Sequence, residues 1–132
     1  MAKYRIVLDT NIYNSAILFG GTPEKVLDLA RSEVVDIFIS QQILDEIIRV
    51  LRIKFGWNQM RLAEVEVELM SLTRKVEPKM KVRVVKDDPE DDKFLEAAIK
   101  SKSDFIISGD NHLLDLKYYQ DIKIVTAKTF LI

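Results

Sequence analysis

Short apolar, β-branched runs recur along this chain, and stretches with helical spacing lie between them. Residues 4–9, 35–39, 82–85, 105–108 and 122–125 each read as a strand rich in apolar and β-branched residues. When helices separate them, the stable arrangement is a parallel sheet covered by helices and joined by crossovers. The expectation is a three-layer α/β/α fold with a parallel, doubly wound sheet of about five strands.

The intervening segments carry helix signals. Thr22-Pro23-Glu24 reads as an N-cap, a first-turn proline and a first-turn acid, opening a helix to about Arg31 with Val26, Leu27 and Ala30 on its inner face. Ser40 caps a helix carrying Ile43, Leu44, Ile47, Ile48 and Leu51. Phe55-Gly56-Trp57-Asn58 breaks the pattern, and a charge-rich helix is expected from about 59 to 76, stopping before Pro78. Asp88-Pro89-Glu90-Asp91 opens a helix with Phe94, Leu95, Ala97, Ala98 and Ile99, and Thr126 caps a terminal turn. With no repeat, low-complexity linker or composition break, residues 1–132 read as one domain, long enough to bury a core without staples.

Composition narrows the chemistry. There is no cysteine, which removes disulfides and thiolate metal sites, and one histidine, which leaves little support for a Ser-His-Asp centre. Lys+Arg number 20 against 21 Asp+Glu, a net charge of −1 that argues against a general nucleic-acid coat protein. The amino terminus has no signal-like apolar region, and no apolar run approaches the roughly 20 residues needed to cross a bilayer. A cytoplasmic location is expected.

The chemistry-bearing residues are acids at strand ends. Asp9 closes the first apolar run and is followed by Thr10 and Asn11; Ser108-Gly109-Asp110 closes the fourth. Open α/β sheets bind ligands at the carboxyl ends of their strands, at the point where strand order reverses. Further acids stand near helix starts, at 45–46 and 88–92. Were these to converge, their carboxylates would repel and raise one another's pKa values, a penalty that a divalent cation removes. Oxygen-only donors suit Mg²⁺ or Mn²⁺ rather than Zn²⁺.

Each acid also has a plainer reading. Asp9 and Asp110 could be turn or capping residues, and Asp88 is explained well as an N-cap. Asp45 and Glu46 lie on opposite flanks of an apolar helix face, so periodicity does not choose between them. Asp91 projects with Phe94, Leu95 and Ala98, whereas Asp92 lies near the border of that stripe. Gly20-Gly21 lacks a P-loop lysine and GxGxxG spacing. Phe55 and Trp57 could stack a base or make a hydrophobic contact in the core or at a dimer interface, and the basic residues at 49, 52, 54 and 61 could form a rim or a solvated face.

Taken in order, Asp9-Thr10-Asn11, Ser40 to Glu46, the run from Asp88 to Leu95, and Ser108-Gly109-Asp110 resemble the motifs of PIN domains. The likeness spans essentially the whole chain and is greatest to small prokaryotic VapC-like toxins of toxin–antitoxin pairs. It implies a metal-dependent endoribonuclease using Mg²⁺ or Mn²⁺, with Asp9, Glu46 and Asp110 as catalytic and metal-site acids. Asp91 and Asp92 both remain candidates for the further acid. Asn11 and Ser108, with Thr10 beside them, match positions that orient the acids or hydrogen-bond water and substrate. Hydrolysis by water would leave a 5′-phosphate and a 3′-hydroxyl. The resemblance also implies an RNA substrate and a cognate antitoxin, and the apolar surface of residues 43–76 suggests a homodimer or higher homo-oligomer.

Two other readings remain. One is a non-catalytic PIN-fold module that binds RNA or protein. The other is a phosphoryl-transfer domain, against which stand Asn11 two residues after Asp9 and the absence of a lysine at the late strand end.

Overall fold

The computed structural model describes residues 3–85 and 89–132. At its centre lies β1 (Tyr4–Leu8), whose Ile6, Val7 and Leu8 are completely buried. β1 pairs in parallel with β2 (Val35–Ser40), Tyr4 opposite Val35, and on its other side with β4 (Phe105–Ile107), Leu8 opposite Ile107. Outside these lie β3 (Thr73–Val76), β5 (Tyr118–Tyr119) and β6 (Ile122–Val125), giving the order β3-β2-β1-β4-β6-β5. Only β5, against β6, is antiparallel. The chain thus winds outward from β1 in one direction, then returns to wind outward in the other. Strand order reverses between β1 and β4, and the crevice at their carboxyl ends is the topological switch point.

The helices are α1 (Thr10–Phe19), α2 (Gly21–Arg31), α3 (Gln41–Phe55), α4 (Gln59–Leu72), α5 (Asp92–Ser101), α6 (Asn111–Leu114) and α7 (Ala127–Leu131), with a 3₁₀ turn at Pro89–Asp91. Side chains hold their starts. Asp9 accepts from the Ile12 N–H at 2.9 Å, Ser40 from Ile43 at 3.3 Å, Asn58 from Arg61 at 2.9 Å and Thr126 from Thr129 at 3.1 Å. Such a cap contributes about 1 kcal/mol. α3 ends where Gly56 turns left-handed at φ 66°, a conformation that residues with a Cβ adopt reluctantly. The core joins the buried sheet residues to Ile43, Ile47 and Leu51 of α3 and to Phe94, Leu95 and Ala98 of α5. Fully burying one such aliphatic side chain contributes about 1.5–3 kcal/mol. No helix of the described residues is long and apolar enough to cross a membrane.

The α/β class and the parallel core of the sheet are as the sequence predicts, and several details differ. The described residues form six strands: β3 and the short antiparallel β5 are additions, and the strand expected at 82–85 is absent. The helix expected over 59–76 ends at Leu72, and Thr73–Val76 becomes a strand because it can pair along β2, with Ile37 opposite Thr73 and Ser40 opposite Val76. Residues 82–85 are not a strand. Their N–H groups are taken by side chains: Val82 donates to Glu96 at 3.0 Å, and Val84 and Val85 donate to Asp92 at 3.1 and 2.8 Å. Residues 10–19, given no helix by the sequence reading, form α1, and α2 starts at Gly21 after Gly20 rather than at a Thr22 cap. The expected cap at Asp88 lies outside the described residues.

Candidate metal centre

Asp9 is positioned twice over, as the residue after β1 and as the cap of α1. Its backbone N–H continues the ladder to the Ile107 carbonyl at 3.0 Å, which fixes the side chain at the β1–β4 crevice. One carboxylate oxygen accepts from the Ile12 N–H at 2.9 Å; the other accepts from the Ser108 hydroxyl and from the Gly109 N–H at 3.3 Å. Only 2% of the residue is exposed. Burial pushes the Asp9 pKa up, these hydrogen bonds pull against that, and the Asp110 charge pushes it further up.

Ser108, fully buried, connects two acids. Its hydroxyl donates to Asp9 and accepts from the Asp110 N–H at 2.9 Å. Asp110 in turn caps α6, accepting from the His112 N–H at 2.8 Å. The buried Asp91 arrives from the 3₁₀ turn and shares a hydrogen bond with Asp110. That bond is the main reason the Asp110 pKa lies below its ordinary value; the backbone bond from His112 adds to the lowering and burial opposes it. Ligand atoms of Asp91, Asp110 and His112 all lie within 4.8 Å of one another. Two carboxyl groups in hydrogen-bond contact must share a proton. A divalent cation placed there would supply the same bridging charge in larger amount. The donors, carboxylate oxygens with one imidazole at the margin, therefore fit a hard or borderline cation such as Mg²⁺ or Mn²⁺.

Glu46 approaches the crevice from α3 and is held differently. One oxygen accepts from the Thr10 hydroxyl, and the other from Lys93 Nζ at 3.0 Å, with the Arg49 guanidinium 3.7 Å away. Asp45 is exposed and pairs with Gln41 at 2.7 Å, whereas Glu46 is partly buried and reaches Thr10 and Lys93; both border the same cleft. Asp92 is also buried, but its carboxylate grips the Val84 and Val85 N–H groups and thereby fastens residues 82–85 to α5. Asn11 is exposed in the first turn of α1 and makes no side-chain hydrogen bond among the described residues.

Beside these acids lies a cleft of about 800 Å³ that Glu46 and Asp92 border, its lining mixing Arg49, Lys81, Arg83 and Lys93 with Asp45, Glu90 and Glu96; Asp9, Asp91 and Asp110 are not among its lining residues. Arg52 and Lys54 lie in the last turn of α3, outside that lining. Arg61 stacks 3.7 Å over the Trp57 ring, so that face of the indole is already covered. Sequence reasoning passed over Lys93 and weighed His112 only as part of a nucleophilic triad. Their signal was adjacency, since Lys93 follows Asp91-Asp92 and His112 stands two residues after Asp110.

These features define an α/β protein with a carboxylate-rich crevice at its topological switch point. The model of the PIN domain family matches residues 5–112, from β1 through His112, and the chain belongs to that family. PIN domains have a nuclease-type fold, are generally nucleases and typically bind divalent metal. The search of curated proteins returned no match.

Proposed function

We propose that this protein is an Mg²⁺- or Mn²⁺-dependent endoribonuclease, the toxin of a prokaryotic toxin–antitoxin pair acting in the cytoplasm. The observation that carries the reading is the meeting of Asp91 and Asp110, with His112 at their margin and Asp9 joined through Ser108, at the open end of β1 and β4. Asp91 and Asp110 would hold the cation, with Asp9 completing the acidic floor. A bound cation supplies a polarised phosphoryl oxygen and a more acidic water, and stabilises charge on the leaving oxygen.

The chain's own residues do the rest. Ser108 keeps Asp9 and Asp110 in register. Asp92 holds residues 82–85 against α5 as one wall of the cleft, and Arg49, Lys81 and Arg83 offer positive charge to the phosphates flanking the scissile bond. Water attacking in line would leave a 5′-phosphate and a 3′-hydroxyl. The resemblance to VapC-like toxins supports RNA as substrate and a separate antitoxin as partner. Exposed Ile53, Phe55, Met60, Val67 and Met70 on α3 and α4 support a homodimer.

End-labelled RNA incubated with purified protein and Mn²⁺ tests this. Cleavage should disappear with EDTA and with Asp110→Asn. Equal cleavage by that variant would assign the activity to a contaminant and reject the reading.

A further inference from the structure

We propose that His112 is a ligand of this metal centre, its Nδ1 supplying a nitrogen donor among carboxylate oxygens and turning the preference of the site from Mg²⁺ towards Mn²⁺. The inference rests on the reading that Asp91 and Asp110 hold a cation, and adds to it a donor of another kind. Two hydrogen bonds fix where the ring can be. The Ser108 hydroxyl accepts from the Asp110 N–H at 2.9 Å, which sets the turn after β4. The Asp110 carboxylate accepts from the His112 N–H at 2.8 Å, which sets the backbone of His112 against that acid. The ring then comes back towards the same carboxylate, with Nδ1 3.7 Å from Oδ1 of Asp110.

That separation is too long for a hydrogen bond between the two atoms. It is the right size for two donors with an ion between them. Ligands of a small divalent cation each lie about 2.1 Å from it, and so stand at most about 4.2 Å apart. Nδ1 of His112 and Oδ1 of Asp110 are within that limit. One ligand atom from each of Asp91, Asp110 and His112 lies within 4.8 Å of the other two, so only a small closing of the side chains separates them from a coordination sphere. The donors come from three places, the 3₁₀ turn, the turn after β4 and α6. The His112 side chain is 44% exposed, which lets a hydrated ion reach it from solvent. Carboxylates alone accept Mg²⁺ and Mn²⁺ alike. An imidazole nitrogen adds little for Mg²⁺, which keeps to oxygen ligands and water, and more for a transition ion. An exposed imidazole drawn to Asp110 by charge alone would give no such discrimination.

The chain contains one histidine, so an imidazole signal on the metal can have one source. Untagged full-length protein, stripped of metal and loaded with Mn²⁺, is measured by pulsed electron paramagnetic resonance. One sample is unlabelled and a second carries histidine with the heavy nitrogen isotope. The expected result is a modulation from directly bound nitrogen that changes with the isotope and vanishes in His112→Ala. Calorimetry adds the selectivity: His112→Ala should weaken Mn²⁺ binding by about 10-fold or more and Mg²⁺ binding by less than about threefold. His112→Asp should restore the binding of both ions and lose the preference. Mn²⁺ bound in an Asp110-dependent way, with no signal that follows the isotope, would overturn the proposal while leaving the metal reading of the site intact. Equal weakening of both ions by His112→Ala would also overturn it, because a residue that only positions Asp110 would not distinguish them. If the wild type bound neither ion, both readings would fall.

Discussion

The two halves of the acidic crevice are built from the same side-chain chemistry and are held by different partners. On the β4 side, Asp9, Asp110 and Asp91 are tied together through Ser108 and through a shared hydrogen bond, with acid facing acid. On the α3 side, Glu46 meets a hydroxyl and an ammonium. The first half joins carboxyl groups to one another, with a shared hydrogen bond where a cation could stand; in the second a carboxylate meets an ammonium. Identity as an acid therefore says little about role, and what each carboxylate touches says nearly all of it. Substitutions that treat the halves alike should give unlike results.

The largest effect should come from the β4 side. Asp91→Asn or Asp110→Asn should reduce RNA cleavage by more than about 100-fold, since even residues one step removed from a metal typically cost 10–100-fold. Thermal unfolding without metal should change little, because an asparagine amide can donate the hydrogen bond that the two carboxyl groups share and, at position 110, its carbonyl can still cap α6. An active Asp91→Asn enzyme would erase the distinction between the halves.

Asp92 provides the next contrast, one residue along. Asp92→Ala strands the Val84 and Val85 N–H groups and should cost about 1–3 kcal/mol in urea unfolding, the range for leaving buried donors unpaired. Mn²⁺ affinity of the folded protein should change far less than in Asp91→Asn. Matching losses of affinity in the two variants would mean that both acids serve the cation.

The neighbouring pair also shows how far sequence reaches. Helical projection places Asp91 on the apolar side, yet nothing in the spacing reveals that a 3₁₀ turn ends at Asp91 and an α-helix begins at Asp92, which sends the two carboxylates to different partners. Strands β1, β2, β4 and β6 were legible because short runs rich in apolar and β-branched residues, with at most an isolated Arg5, Asp36 or Lys123 within them, have few alternatives. Thr73–Val76 was not, since no glycine or proline separates it from α4 and its strand state depends on pairing with distant β2. Residues 82–85 have a strand's composition, but side chains of α5 claim their N–H groups. α1 was hidden because Asp9, read for its chemistry, is also the helix cap. Local pattern reports local preference; these outcomes were decided by contacts distant in sequence.

Ser108→Ala tests the link on the β4 side. The variant removes a fully buried hydroxyl that donates to Asp9 and accepts from the Asp110 N–H. Both acids stay, but their mutual placement loosens. Cleavage should fall by about 10-fold, the lower end of what orienting partners of metal ligands contribute. A change confined to KM, with kcat intact, would show that Ser108 serves substrate binding instead.

The smallest effect should come from Thr10→Val, a near-isosteric change on the α3 side. Thr10 gives Glu46 one hydrogen bond, while Lys93 holds the other oxygen and supplies the compensating charge. Losing the hydroxyl should cost about 0.5–1.5 kcal/mol of stability, the net worth of a typical hydrogen bond. It should leave Mn²⁺ affinity unchanged, because Glu46 keeps its counter-charge. Urea unfolding and Mn²⁺ titration of the same preparation separate the two quantities. If affinity fell with stability, the orientation of Glu46 would matter to the cation, and the two halves of the crevice would have to be treated as one site.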